Sequence, residues 1–175
     1  EYASAKKVYN AMIDKHPAMI AYCAGADDVM HCVNFARENN MLLAIRAGGH
    51  NAGGLGICDG GLVIDLSMMK DIRIDTDKKT VLVEGGVLLK ELDQATHEVK
   101  MAVPAGVLGT TGLAGLTLGG GIGYLTRKYG LSIDNLIEAD IILANGSRVK
   151  ASATENPDLF WAIRGAGANF GVATK

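Results

Sequence analysis

"AIRAGGHNAGGLG", residues 44–56, decides how the chain reads, because an apolar run ending in Arg46 opens into a glycine loop that carries one histidine, His50. Glycine bares main-chain N–H groups and lets backbone approach backbone or ligand, so such a loop reads as a tight turn or a ligand cradle. Upstream, "AMIAYCA" (18–24) and "MLLAIR" (41–46) read as strands. Between them Asp27 and Asp28 suit a helix N-terminus, and Val29, Val33 and Ala36 follow at helical spacing to about Asn39. The loop is thus fed by the second strand of a strand, helix, strand unit. Before that unit, residues 3–15 have helical spacing, with Val8, Met12, Ala5 and Ile13 on one side and Pro17 as the stop.

Downstream, "GLVIDL" (61–66) reads as a strand, and residues 71–86 as a hairpin turning at Asp77, Lys78 and Lys79. Residues 87–99 are amphipathic, with Leu88, Leu92 and Ala95 expected inward. "LIEADIILANGSRVKA" (136–151) is a second hairpin, with Asn145-Gly146 as its turn. A helix then starts with Asn156 as cap and Pro157 at its first position, anchored by Phe160, Trp161 and Ile163 in the core. The sum is an α+β domain with a mixed sheet.

Composition narrows the function. The near balance of 17 basic and 19 acidic side chains, with no basic run, predicts no nucleic-acid partner. No run of 18 apolar residues exists and the start is amphipathic and charged, which predicts no membrane segment and a reduced, cytoplasmic setting. Cys23, Cys32 and Cys58 are odd in number without CxxC spacing, so they read as small apolar fillers, with no metal site expected. The outlier is glycine, 23 of 175 residues, clustered at 48–61, 106–130 and 165–171. GxxxxGK[ST] is absent, and "GGGIGY" (119–124) lacks the last glycine and the preceding strand of a dinucleotide fingerprint, so a Rossmann fold is set aside. There remain two readings: loops whose amides grip one long cofactor, or, for Gly112, Gly115, 119–121 and Gly123, simple close packing of backbone. Three clusters in one short chain favour the ligand.

"RAGGHN" (46–51), "GGLVIDL" (60–66), "PAGVLGTTGLAGLTLGGGIGYLTRKYGLSIDNL" (104–136) and "NPDLFWAIRGAGANFGV" (156–172) together closely resemble the FAD-binding domain of the berberine bridge enzyme-like branch of the vanillyl-alcohol oxidase superfamily. The resemblance runs from about Pro17 to Val172. It implies an FAD-binding domain with mixed sheets flanked by helices. Arg46, Ala47, Gly48, Gly49, His50, Asn51, Ala52 and Gly53 would wrap the FAD diphosphate, with His50 joined covalently to the benzenoid methyl group of the flavin, which raises its reduction potential. Pro104, Ala105, Gly106 and Val107 would run near the ring, and Gly109, Thr110 and Thr111 would supply amides and hydroxyls. Gly112, Gly115, Gly119, Gly120 and Gly123 would admit the cofactor closely. Asn135 and Ile137, then Gly167, Asn169, Phe170, Gly171 and Val172, would lie towards the adenosine half. Doubly linked members carry cysteine where this chain has Leu108, so the resemblance implies one attachment only. It also implies that residues 1–175 are the first block of a longer architecture, with the substrate domain, a returning C-terminal segment and the catalytic base outside them; His16, His31 and His97 are given no catalytic role. The expected reaction is oxidation of an alcohol or sugar hydroxyl by hydride transfer to FAD. The competing expectations are a truncated, non-catalytic domain that holds FAD weakly or not at all and pairs with its own copy through exposed apolar surface, and, more remotely, a non-flavin nucleotide module.

Overall fold

The computed structural model describes residues 2–175. Three small sheets form its frame. In the first, β1 (Met19–Tyr22), β3 (Leu62–Asp65) and β2 (Leu43–Arg46) run parallel with β3 in the middle, and α2 (Ala26–Glu38) crosses over between β1 and β2. Every residue of β3 is buried, as the continuous apolar run of a central parallel strand requires. The inward stripe of α2 is Val29, Val33 and Ala36, in line with the helical spacing.

The second sheet is the hairpin β4 (Ile72–Asp75) and β5 (Thr80–Val83), on which α3 (Leu89–Glu98) packs. After α3 come two short helices, α4 (Leu113–Leu118) and α5 (Thr126–Tyr129). The third sheet pairs β6 (Glu138–Ile142) antiparallel with β7 (Arg148–Ser152) and with β8 (Val172–Ala173), and α6 (Pro157–Ala166) covers it through Phe160 and Ile163. One core binds the first sheet to the third: Val29 and Val33 of α2 meet Ile64, Leu66 and Met69 on one side and Ile142 and Val172 on the other. The expected mixture of strand directions is therefore sorted into parallel and antiparallel sheets rather than blended in one.

Several expectations need correction. Only Tyr2–Ala5 is helical in the stretch read as a helix over 3–15, and Met12 is 90% exposed. The polar groups of this segment bond across to the glycine loop instead of along a helix: Tyr9 N–H donates to the Gly49 carbonyl at 3.1 Å and Asn10 Nδ2 to the Ala52 carbonyl at 2.8 Å. In α3 the buried side chains are Leu89, Leu92 and Thr96, one step round from the expected Leu88 and Ala95, because Leu88 precedes the first helical turn. Asn156 stands at the N-cap position of α6, where its carbonyl accepts the Phe160 N–H at 3.0 Å, but its side chain makes no capping bond; in the left-handed region at φ 50°, it spends its side-chain amide on the Lys150 carbonyl at 2.7 Å. Trp161 is 75% exposed, leaving Phe160 and Ile163 as the anchors.

Cys23 and Cys58 are buried, and Cys32 lies partly so with its sulfur 3.9 Å from that of Cys23. Burial first, then the neighbouring Cys32, pushes the Cys23 thiol up to about 12, so it stays protonated as an apolar filler does. Among the described residues no helix is long and apolar enough to cross a membrane.

Candidate functional site

The C-terminal ends of parallel strands leave their loops on one side of the sheet, where open α/β sheets receive ligands. Here β2 ends in Arg46 and β3 in Asp65, and the two residues form a buried ion pair: Arg46 Nη2 and Nε lie 2.6 and 2.7 Å from Asp65 Oδ2. Their side chains are only 7% and 5% exposed. Desolvation of two charges is costly, and it is offset here because one carboxylate takes both guanidinium bonds and its second oxygen accepts the Ser67 N–H at 2.8 Å. The pair therefore fixes the root of the 47–53 loop to the turn after β3. At its far end the loop is closed by Asn51, whose carbonyl accepts the Gly54 N–H at 3.1 Å and whose side chain accepts the Leu55 N–H at 3.0 Å.

Between these two pins, among the described residues, no amide from 47 to 53 donates a hydrogen bond within the chain. Buried backbone donors in folded proteins are almost always satisfied within the protein; these amides sit on half-buried (47–50) and exposed (51–53) residues, so they are open to water or to an acceptor from outside the chain. Gly49 has φ 68°, a left-handed turn that a side chain would strain. The loop borders a groove of about 1080 Å³ that is lined by Arg46, Ala47, Gly48, Gly49, His50 and Thr110, by Ser67 and Lys70 after β3, and by the N-terminal segment. The groove is edged by amides, hydroxyls and two lysines, Lys7 and Lys70, groups that suit an anion.

His50 projects from the loop and is held by groups from elsewhere. Its ring stacks on Tyr9, with centroids 4.1 Å apart and planes 18° from parallel. Nε2 lies 3.0 Å from Thr110 Oγ1 and Nδ1 lies 3.4 Å from Thr111 Oγ1. The two threonines are held in turn by the start of α3: Leu89 N–H donates to the Thr111 carbonyl at 3.0 Å and Lys90 N–H to the Gly109 carbonyl at 2.9 Å. Gly48 and Gly112 are packed backbone to backbone, so that a methyl group on Gly48 would overlap the Gly112 amide nitrogen. The structure thus brings two separate segments, 46–53 and 109–112, to one place.

The remaining expected residues are distributed differently. Pro104 is half-buried, Ala105 is buried, Gly106 lies beneath the Leu89 and Leu116 side chains, and Val107 and Leu108 are exposed. Gly115 opens onto free space; Gly119 ends α4 and Gly120 follows it. Gly123 abuts the Ala105 carbonyl. Ile137 is exposed ahead of β6, and Val172 is 3% exposed in β8, paired with Ile142; neither borders the groove. Among the described residues no group of three or more His, Cys, Asp or Glu gathers in a metal-holding arrangement.

Sequence reasoning missed Lys7, Tyr9, Ser67 and Lys70 as groove residues. Ser67 and Lys70 were findable, since they follow the end of β3 as the loop follows β2. Lys7 and Tyr9 carry no local signal, because their place depends on how the N-terminal segment lies across the loop.

The family described as FAD binding domain matches residues 17–152 of the chain. The chain is 42% identical over 161 residues to (R)-6-hydroxynicotine oxidase of Paenarthrobacter nicotinovorans, covering 92% of itself and 35% of that enzyme. Its fold superposes on 6-hydroxy-D-nicotine oxidase from Arthrobacter nicotinovorans with a TM-score of 0.97 at 39% identity, over 99% of this chain and 38% of the other. On glucooligosaccharide oxidase from Acremonium strictum, described with a 6-S-cysteinyl, 8α-N1-histidyl FAD, the TM-score is 0.88 at 34% identity, over 97% of this chain and 36% of that one. The chain thus spans little more than a third of the length of the proteins it matches.

Proposed function

Because the chain belongs to the FAD-binding domains of the berberine bridge enzyme-like, FAD-linked oxidases of the vanillyl-alcohol oxidase superfamily, we propose that it is the cofactor-holding part of an oxidase that acts on an alcohol or sugar hydroxyl, with His50 as the single covalent tether of its flavin. The observation that carries this reading is the row of unpartnered amides at 47–53 beside an oriented imidazole. Residues 46–53 would embrace the diphosphate through their N–H groups, with the hydroxyls of Ser67 and Thr110 and the charge of Lys7 within the same groove. The buried Arg46 side chain is committed to Asp65, so it holds the loop rather than the anion. Leu108 provides no sulfur for a second bond.

Bound FAD supplies the acceptor for a hydride from the carbon that carries the substrate hydroxyl. This chain's contribution is orientation: a rigid loop root, a fixed imidazole and a bare approach for the nucleotide. His50 would hold the group through a bond from an imidazole nitrogen to the flavin methyl carbon, and the two hydrogens released, with their electrons, would pass to dioxygen, giving hydrogen peroxide. The names of relatives that act on oligosaccharides, such as glucooligosaccharide oxidase and xylooligosaccharide oxidase, support the hydroxyl as target.

The test is a visible spectrum of protein incubated with FAD, before and after acid precipitation. The flavin is expected in the pellet for the native chain and in the supernatant for His50→Ala, with mass spectrometry showing the adduct only in the former. An adduct that survives in His50→Ala overturns the tether. The second reading, a chain that holds FAD weakly and pairs with its own copy, draws on the exposed Ile122, Tyr124 and Trp161; a colourless dimer would establish it in place of the first.

A further inference from the structure

An imidazole on a glycine-flanked loop has two rotatable side-chain bonds and no helix or strand to limit them, yet His50 is restrained from three sides by residues far away in the sequence. The Tyr9 ring covers one face at 4.1 Å. Thr110 meets Nε2 at 3.0 Å and Thr111 meets Nδ1 at 3.4 Å. The segment that supplies Tyr9 is itself fastened to the loop on both sides of His50, by Tyr9 N–H to the Gly49 carbonyl and Asn10 Nδ2 to the Ala52 carbonyl. Stacking sets the plane of the ring, and the hydrogen bond at one nitrogen decides which nitrogen stays available.

We infer that Tyr9 and Thr110 are positioning residues for the bond between His50 and the flavin, an inference that rests on the tether reading. Thr110 engages Nε2 with the shorter contact, which leaves Nδ1, with its longer contact to Thr111, as the nitrogen free to bond. Tyr9 keeps the ring plane fixed while the flavin methyl group approaches, so the reacting atoms meet in one orientation rather than many. The bond forms at the flavin ring, so its rate at saturating FAD is read apart from affinity.

Two measurements on the whole chain decide it. The first is the time course of acid-stable flavin after FAD is added to cofactor-free protein. At saturating FAD, Tyr9→Leu and Thr110→Val are each expected to slow it about tenfold, while Tyr9→Phe and Thr110→Ser, which keep the ring and the hydroxyl, restore the native rate. Native rates in Tyr9→Leu and Thr110→Val overturn the inference while leaving the tether standing, as does a Tyr9→Phe rate as slow as that of Tyr9→Leu. The second is nitrogen NMR of His50 in the cofactor-free protein. Separate protonated and unprotonated ring-nitrogen signals are expected in the native chain, converging in Thr110→Val; averaged signals in the native chain overturn the inference. If the native chain never retains flavin in acid, the tether reading falls and this second measurement still decides whether Thr110 fixes the ring nitrogens.

Discussion

Two glycine-rich segments, 48–54 and 106–123, have similar composition and different physics. In the first the loop is pinned at its ends, by Arg46–Asp65 and by Asn51, and the amides between the pins are unpartnered. In the second most glycines are spent on the chain itself: Gly106 lies under Leu89 and Leu116, Gly112 against Gly48, Gly121 against Ser132 and Gly123 against the Ala105 carbonyl. Gly115 is the exception, with no atom within 4 Å of where a methyl group would lie. Glycine clustering thus has two forms, backbone left with unpaired amides and backbone packed closely against the rest of the chain, and the hydrogen-bond pattern separates them.

The comparison is most easily broken at the pin of the first segment. Asp65→Asn leaves the Arg46 guanidinium buried without its counter-charge, and truncating one partner of a buried pair costs roughly 3–5 kcal/mol. A large fall in the melting temperature is expected, together with loss of FAD binding as the loop root is freed. A variant as stable as the native chain would show that the loop does not depend on this pair. In the second segment the expected effect is smaller and contrasted. Gly123→Ala drives a methyl group into the Ala105 carbonyl and is expected to cost about 1–3 kcal/mol, as overpacking does. Gly115→Ala, in α4 and facing open space, is expected to be neutral or to stabilise by up to about 1 kcal/mol, since alanine favours the helix. Equal melting temperatures for the two variants would erase the distinction between packed and open glycines.

Much of this was legible in the chain. The strand, helix, strand opening, both hairpins and α6 follow from spacing and turn chemistry, because each is a local pattern with a local cause. The Asn145-Gly146 turn shows this plainly: Gly146 takes φ 82° and Asn145 Oδ1 accepts the Ser147 N–H at 2.9 Å. The N-terminal segment misled for the same reason. Its helical spacing is real, but its polar groups find partners on the glycine loop, and tertiary bonds overrule a marginal helix. The site divides likewise. His50 and the loop stand out through glycine content and the family resemblance, whereas Tyr9 and Lys7 reach the groove only through the path of the segment before β1. Insertion of β3 between β1 and β2 gave no sequence signal either, although its apolar run Leu62–Ile64 fits the central place.

A comparably small effect concerns the support beneath the second segment. Glu91, in the first turn of α3, accepts the Leu88 N–H at 2.7 Å and pairs with Lys70 at 2.7 Å. Partial burial raises its pKa, but the hydrogen bonds from Lys70 and Leu88 and the charges of Lys70 and Lys90 outweigh this and hold the carboxyl below its ordinary value. A carboxyl depressed in the folded state stabilises the fold above its unfolded pKa, and that contribution disappears as pH falls through the folded one. Because the pair is partly solvated and screened, Glu91→Gln is expected to cost only about 1 kcal/mol at neutral pH. The gap in melting temperature from the native chain should then narrow as acidification carries the pH below the ordinary glutamate range and through the depressed value of the folded carboxyl, where the native side chain also loses its charge. A gap that stays constant with pH would assign the loss to packing instead. Lys70 borders the groove, and Glu91→Gln removes its counter-charge, so the same variant is expected to bind FAD more tightly at low salt while being less stable. Opposite signs for stability and affinity would show that α3 holds the 109–112 segment in place while the charge of Lys70 acts on the ligand.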